Sequence, residues 1–192
     1  AQVDAIETVR KALNVPSVHC IGYCVAGTTL ACTLAMLAAK GQADIVKSVT
    51  FFTAQVDFEL AGDLKNFVDE NSLDLLKQLS SQGFLDGRYM AATFNALRGR
   101  DLIWNYVINH YLLGQDYPAF DLLYWNGDTT NLPAKWHQQY LTDLYHRNLL
   151  VQPKALTIDG TAIDLRLIKT PIFVQAGRED HIAPLASVWR IM

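Results

Sequence analysis

The feature that most constrains the fold is a run of small residues at positions 22–27 (GYCVAG), set between strand-like and helix-like sequence. The segment at residues 17–22 is short and contains β-branched side chains, which predicts a buried strand. Residues 25–40 are rich in Ala, Leu and Met and are followed by Gly41, which predicts a helix with a left-handed cap. Residues 45–53 return to strand composition. A strand, a sharp turn, a helix and a second strand form a βαβ unit, so the sequence predicts a parallel sheet.

Around this unit we expect an α/β domain with a helical insertion. A short helix is predicted at residues 5–13, and helical spacing replaces strand-like runs from residue 59 to residue 151. We therefore assign residues 1–58 and 152–192 to the sheet-containing core and residues 59–151 to an inserted cap. The expected helices of the cap are marked by Leu73, Leu76 and Leu79, by Leu102, Tyr106 and Val107, and by Trp136, Tyr140, Leu144 and Tyr145.

Composition limits the classes of function. The chain has 192 residues, 51% hydrophobic and 18% charged, so it can bury a sizeable core and is not a disordered chain. The net charge is −3 and no basic block occurs, so nucleic acid is not an expected partner. The longest apolar run, residues 30–39, is shorter than the roughly 20 residues that span a bilayer, so no transmembrane segment is expected. Three cysteines, an odd number, favour a reducing, intracellular compartment.

Cys24 is the candidate nucleophile of the turn at residues 22–27. Such a turn lifts one side chain above the sheet, and small neighbours let the strand and the helix approach closely. The following helix directs its unpaired N–H groups at the sulfur, so we expect a lowered pKa for the thiol. The backbone N–H of Val25 is the candidate donor to a developing oxyanion. The alternative is that the turn only packs well and that Cys24 is a buried apolar residue.

A second candidate, Asp180, follows the apolar strand expected at residues 171–177. In open α/β sheets, catalytic residues collect just beyond the carboxyl ends of the strands. An acid at this place in the chain order corresponds to the residue that orients the histidine in a Cys, Asp, His set. The alternative is an ordinary solvated acid in residues 178–181 (REDH).

None of the histidines in the sequence fits the role of the base. They are His19, His110, His137, His146 and His181. The first lies in a predicted strand, the last is adjacent to Asp180, and the other three lie in predicted helices, where partial exposure is expected. The chain order places the base after the next strand, beyond Met192, and the sequence stops there in a newly started helix. We therefore expect a core that is incomplete at both ends.

The sequence contains no pattern for a metal or nucleotide cofactor. The three cysteines fall on a strand, a turn and a helix without a CxxC pair, so we expect no zinc site. Cys20 and Cys32 are better explained as core thiols. Neither a GxGxxG nor a Walker-type loop occurs, so a dinucleotide or nucleotide cofactor is not expected.

Three spaced segments resemble one family. Residues 22–27 (GYCVAG), 120–133 (FDLLYWNGDTTNLP) and 175–184 (QAGREDHIAP) are similar to signatures of the polyhydroxyalkanoate synthases, in particular of the class that polymerises short-chain (R)-3-hydroxyacyl-CoA. The first segment resembles the lipase-like box of that family, with Cys as the nucleophile. It differs at Ala26, where the family has Gly.

The resemblance implies an α/β-hydrolase core with a helical cap. It implies that Cys24 carries the growing chain and that Asp180 is the acidic member of the triad. It also implies a histidine base in a Gly-His segment beyond Met192 and a second oxyanion donor in a loop before Ala1.

The link at residues 114–131 is long and aromatic. Its aromatic residues are Tyr117, Phe120, Tyr124 and Trp125. Exposed aromatics suit a lid or an interface, and Trp125 matches a tryptophan near the family's dimer contact, so the resemblance implies a homodimer. It further implies 3-hydroxyacyl-CoA and a growing polyester as partners, with the CoA thioester as substrate and no cofactor, in the cytoplasm at the surface of polymer granules.

The function predicted from these residues is polymerisation of (R)-3-hydroxyacyl-CoA with release of CoA, through a covalent thioester on Cys24. A thioester keeps the acyl group activated, which suits transfer between thiols. Two alternatives stay open. One is a hydrolase with a cysteine nucleophile, which releases free acid. The other is a non-catalytic binding or assembly module in which Cys24 is buried and inert.

Overall fold

The structure of the chain is a computed structural model, and it describes residues 1–116, 125 and 127–192. The described α-helices are α1 (Gln2–Leu13), α2 (Val25–Ala39), α3 (Glu70–Leu79), α4 (Gly87–Leu97), α5 (Ala134–Gln139) and α6 (Leu185–Val188). The described strands are β1 (Val18–Tyr23), β2 (Val46–Phe52), β3 (Phe84–Leu85), β4 (Leu132–Pro133), β5 (Thr157–Ile158), β6 (Thr161–Ala162) and β7 (Ile172–Gln175). Short 3-10 helices lie at Ala43–Ile45, Gly62–Phe67, Leu149–Val151, Leu165–Leu167 and Trp189–Ile191, and π-helical segments lie at Arg100–Trp104, Val107–Leu112 and Tyr140–His146.

Two units can be distinguished by their internal contacts. The first consists of residues 1–69 and 140–192 and holds the parallel sheet, and the second consists of residues 70–139. The assignment of residues 59–151 to a functional cap stays a prediction.

The sheet of the first unit is parallel, as predicted. β2 lies between β1 and β7, and both of its pairings are parallel. The register places Phe52 opposite both Tyr23 and Gln175, so the three strands end at one edge of the sheet. Phe51 of β2 is fully buried in the hydrophobic core. Because parallel strands end together, the segments that follow β1 and β7 leave the sheet on the same side.

The helix α2 forms much of the core. Leu30, Leu34 and Leu37, which form the predicted apolar stripe, are all buried, and most of the residues between them are buried as well. A helix that is apolar on every face is typical of a buried position. The helix is followed by Gly41 with a φ of 68°, and the N–H of Gln42 donates to the carbonyl of Leu37 at 2.8 Å. The predicted helix and its left-handed glycine are therefore confirmed.

The second unit is mainly helical in the part that the structure describes. Helix α3 confirms the helix predicted around Leu76. Helix α4 is not predicted by the sequence analysis. It begins after Asp86, whose carboxylate accepts the N–H of Arg88 at 2.9 Å and so caps the helix.

Several elements differ from the prediction in detail. The helix predicted around Leu102 and Tyr106 is formed as two π-helical segments, and the third predicted helix is π-helical at Tyr140–His146. Periodicity at 3.6 residues does not distinguish a π-helical turn from an α-helical one. The short pairs β3–β4 and β5–β6 are antiparallel and were not predicted, since strands of two residues have no alternation to detect.

Candidate active site

Cys24 occupies the turn between β1 and α2 in a backbone conformation that residues other than glycine seldom adopt. Its φ is 52° and its ψ is −128°. Its N–H donates to the carbonyl of Phe52 at 2.9 Å, and its carbonyl accepts from the N–H groups of Gly27 at 2.9 Å and Thr28 at 3.2 Å. Such a conformation costs of order 1–3 kcal/mol and persists only where its surroundings fix it. The predicted sharp turn is present, and Cys24 is an exposed residue, although its sulfur is partly buried.

Two glycines let β1 and α2 come into contact behind this turn. A Cβ atom on Gly22 would lie 2.6 Å from the Cα of Gly27, and a Cβ atom on Gly27 would lie 2.4 Å from the Cβ of Ala54. Both distances are far shorter than a carbon–carbon contact, so neither position can take a side chain unless the elements move apart. Ala26 is exposed, so the methyl group at which this sequence departs from the family pattern does not crowd the contact.

The thiol of Cys24 has a raised pKa, and the expectation of a lowered pKa is wrong for the described residues. Partial burial of the sulfur is the main cause, because it disfavours the charged form. The backbone N–H of Val25 bonds to the sulfur and opposes the increase, while the negative charge of Asp180 adds to it. The helix therefore acts on the thiol in the predicted direction, but its effect is outweighed.

Asp180 lies in the loop after β7, on the side of the sheet where β1 leads into Cys24. One carboxylate oxygen, Oδ1, accepts the backbone N–H groups of Ile182 and Ala183, both at 2.9 Å. These bonds fold residues 180–183, which we call the acid loop, around the carboxylate. Because the charge of Asp180 acts on the thiol of Cys24, the structure brings the two candidate residues into one electrostatic site.

No histidine is among the groups that act on Cys24 in the part of the chain that the structure describes. The Nδ1 atom of His19 bonds to the hydroxyl of Ser48 at 2.7 Å, within the sheet. The expectation of partial exposure is wrong for His137, which is 4% exposed and whose pKa is lowered by burial. The histidine base and its position stay a prediction.

Comparison with protein families identifies the fold family. Residues 1–192 match the family model described as alpha/beta hydrolase fold. The chain belongs to this family. The parallel sheet predicted from the βαβ unit and the α/β-hydrolase core implied by the resemblance are both confirmed.

This α/β-hydrolase chain is similar to known polyester polymerases. It is 49% identical to the poly(3-hydroxyalkanoate) polymerase subunit PhaC of Rhizobium etli and 47% identical to the poly(3-hydroxyalkanoate) polymerase of Methylorubrum extorquens, in each case over 96% of the chain. It is 40% identical over 98% of the chain to the subunit PhaC of Cupriavidus necator. The chain spans 29%, 30% and 33% of these three relatives, respectively. The resemblance to polyhydroxyalkanoate synthases is confirmed.

Two tyrosines of the first unit, Tyr140 and Tyr145, lie close enough to Cys24 for its charge to act on them, and neither was predicted as a site residue. Burial raises the pKa of Tyr145 to about 12 and raises the pKa of Tyr140 further, and a negative charge on Cys24 adds to both increases. Their rings pack edge to face at 5.6 Å, and both contact Phe58. The helical spacing predicted both tyrosines only as part of a cap helix, and nothing in that spacing pointed to Cys24.

The described part of the aromatic link contains Trp125, whose side chain is 73% exposed. Tyr117, Phe120 and Tyr124 lie outside the described residues. The role of Trp125 at a lid or an interface stays a prediction.

The described residues hold no group of three or more His, Cys, Asp or Glu side chains placed to bind a metal ion. Cys32 is buried in the core, where burial raises its pKa to about 11, and Cys20 packs against the core. Cys32 is therefore a core thiol, as predicted, whereas Cys20 is only partly buried. Within residues 1–116, 125 and 127–192, no helix has the length and apolar character needed to cross a membrane.

Proposed function

We propose that the chain provides the nucleophile and the orienting acid of an enzyme that polymerises (R)-3-hydroxyacyl-CoA into polyhydroxyalkanoate. The observation that carries the proposal is Cys24, exposed at a strained strand-to-helix turn and acted on by the charge of Asp180. The similarity to poly(3-hydroxyalkanoate) polymerases supports the substrate class.

In the first step, the sulfur of Cys24 attacks the thioester carbonyl of the acyl-CoA. A bond forms between this carbon and the Cys24 sulfur, the bond to the CoA sulfur breaks, and the thiol proton passes through the base to the departing CoA thiolate. The N–H of Val25 stabilises the oxyanion that develops on the carbonyl. Because the pKa of Cys24 is raised in the described residues, this step requires a general base, which we expect to be a histidine oriented by Asp180 and located after residue 192.

In the second step, the 3-hydroxyl of another hydroxyacyl unit attacks the thioester on Cys24. An ester bond forms, the carbon–sulfur bond breaks, and the hydroxyl proton returns through the base to the sulfur. The products are a polyester longer by one unit and a regenerated thiol. A thioester on cysteine favours this transfer, because its acyl group stays activated.

A hydrolase is the second candidate, since the family match is to the alpha/beta hydrolase fold. The same Cys24 and Asp180 would serve it, with water in place of the attacking hydroxyl and free acid as the product. The two candidates therefore differ in the second nucleophile and not in the first step.

The partners of the whole enzyme are part of the proposal. We expect 3-hydroxyacyl-CoA and the growing polyester as ligands, no separate cofactor, and a homodimer in the cytoplasm at the granule surface. The exposed Trp125 is our candidate contact residue for the dimer or the lid.

Replacement of the nucleophile tests the proposal. In the full-length protein, Cys24→Ala should abolish CoA release from a 3-hydroxyacyl-CoA, measured with a thiol-reactive dye. Cys20→Ala is the matched control, because Cys20 is a neighbouring thiol that packs against the core, and it should retain release. Polymer among the products supports the synthase, and free acid alone supports the hydrolase. Normal CoA release by Cys24→Ala contradicts both candidates, whereas no CoA release by the unaltered protein leaves the binding module.

A further inference from the structure

Gln55 has a buried amide side chain and lies three residues after the end of β2. Neither the proposed nucleophile Cys24 nor the proposed acid Asp180 accounts for a buried amide at this position. The residue is 5% exposed. Its backbone carbonyl accepts the hydroxyl of Thr28 at 2.6 Å. Thr28 lies in the first turn of α2, where its N–H donates to the carbonyl of Cys24 at 3.2 Å. The backbone of Gln55 is therefore tied to the turn that holds the nucleophile.

The side chain of Gln55 bonds to the acid loop and to α6. Its Nε2 atom donates to the carbonyl of Ile182 at 3.2 Å and to the hydroxyl of Ser187 at 3.1 Å. Ile182 belongs to the acid loop, and its N–H donates to the carboxylate of Asp180. One residue thus bonds to the nucleophile helix through its backbone and to the acid loop through its side chain.

The amide oxygen of Gln55 is also engaged. It accepts the hydroxyl of Tyr145 at 3.4 Å, and Tyr145 in turn accepts a hydrogen bond from Tyr140. These are the two tyrosines on which the charge of Cys24 acts. A buried amide is costly unless it is hydrogen-bonded, and an apolar side chain would fill the same space without that requirement. The amide of Gln55 is therefore stable in the core only while its hydrogen-bond partners stay in position around it.

We infer that Gln55 is a positioning residue that fixes the acid loop, and with it the carboxylate of Asp180, relative to Cys24. This inference rests on the proposed function, since it assigns Gln55 a role in the same reaction. The residue is not catalytic, because its partners are Thr28, Ile182, Ser187 and Tyr145 rather than the reacting atoms.

A double-mutant cycle in the full-length protein separates positioning from simple stabilisation. Gln55→Met removes the amide and keeps a side chain of similar length. It should lower kcat for CoA release roughly tenfold with little change in KM, because a small displacement of a catalytic group is costly. In an Asp180→Asn background, Gln55→Met should lower kcat less than twofold further, since residues that act through one another are not additive.

Asp180→Asn suits this cycle because an asparagine Oδ1 can still accept the two N–H groups of the acid loop. Gln152→Met is the matched control. Gln152 is exposed, and among the described residues its Nε2 atom bonds only to the nearby carbonyls of Arg147 and Asn148, so its replacement should leave kcat unchanged. Equal losses from Gln55→Met in both backgrounds, or no loss in either, would overturn the inference.

A second variant covers the case in which Gln55→Met does not fold, as judged by circular dichroism. Tyr145→Phe removes only the hydroxyl that bonds to Gln55 and keeps the ring that packs on Phe58. It should lower kcat several-fold, again without a further loss in the Asp180→Asn background, and a further loss of the same size contradicts the inference. Cys24→Ala distinguishes failure of the proposed function from failure of the inference about Gln55. Normal CoA release in that variant refutes the proposed function. Abolished release, together with additive effects of Gln55→Met and Asp180→Asn, refutes the inference alone.

Discussion

At the scale of single residues, exposure distinguishes Cys24 from the other two cysteines. Cys20 is half-buried and Cys32 is buried, and burial raises the pKa of both thiols. Cys24 is exposed, yet the pKa of its thiol is also raised, by partial burial and by the charge of Asp180. A reagent can therefore reach Cys24, but near neutral pH the sulfur is mainly a thiol, and nucleophilic attack depends on removal of its proton.

The proposed orienting role of Asp180 gives a prediction for Asp180→Asn in the full-length protein. If Asp180 orients an imidazolium beside the sulfur, loss of its charge destabilises the thiolate–imidazolium pair and raises the thiol pKa. CoA release should fall by roughly 10³-fold or more, as expected when the orienting acid of a triad is lost. The pKa is measured from the pH dependence of Cys24 alkylation, followed on its peptide by mass spectrometry.

The direct effect of the Asp180 charge on the Cys24 thiol predicts a pKa shift in the opposite direction. Without a histidine, removal of the Asp180 charge takes away a cause of the raised pKa, so the thiol pKa falls and thiolate appears at lower pH. A lower pKa together with retained CoA release would show that Asp180 is an ordinary loop acid, and the assignment of an orienting role would be wrong.

At the scale of elements, the strand, turn and helix at residues 18–39 depend on the close approach of two backbones. Gly27→Ala places a methyl group against Ala54 and the carbonyl of Gly22. We expect this variant to lose roughly 1–3 kcal/mol in the free energy of unfolding, the usual cost of overpacking. Urea denaturation of the full-length protein followed by tryptophan fluorescence measures the change.

The matched control for this variant is Gly99→Ala. A Cβ atom at Gly99 would meet none of the described residues within 4 Å, and the φ of Gly99 is negative. Its replacement should change the free energy of unfolding by less than about 0.5 kcal/mol. Equal effects of Gly27→Ala and Gly99→Ala would show that the contact between β1 and α2 is not tight.

Elements were predictable where one local pattern decided them. The length of α2 followed from a segment rich in Ala, Leu and Met and from Gly41, whose φ of 68° lies just after the end of the helix. The cap of α4 by Asp86 is a local signal as well, but α4 is not among the predicted helices. The π-helical segments could not be predicted, because their apolar spacing overlaps that of an α-helix.

At the scale of the whole molecule, the candidate site was only partly visible in the sequence. Cys24 and Asp180 could be identified because each follows a strand that ends at the same edge of the sheet. The bond from Gln55 to Ile182 joins residues 127 positions apart, and the bond from Tyr145 to Gln55 spans 90 positions. Contacts of this separation have no local pattern, and the direction of the Cys24 pKa also depends on how deeply the folded chain covers the sulfur.

The fold class, by contrast, could be inferred from local sequence patterns. A single βαβ unit fixed the parallel pairing of β1 and β2, and a late apolar strand after a helical insertion joined the same sheet as β7. The match of residues 1–192 to the alpha/beta hydrolase fold agrees with that topology.

The most direct test of the proposed mechanism is to identify the residue that carries the acyl group. The full-length protein is incubated with a 3-hydroxyacyl-CoA, quenched in acid and digested, and the acyl adduct is mapped by mass spectrometry while free CoA is measured. We expect a hydroxyacyl thioester on Cys24, formed together with CoA, and polymer as the reaction proceeds. Release of CoA with an adduct on another residue, or with no adduct and an unmodified Cys24 at every time point, would contradict it.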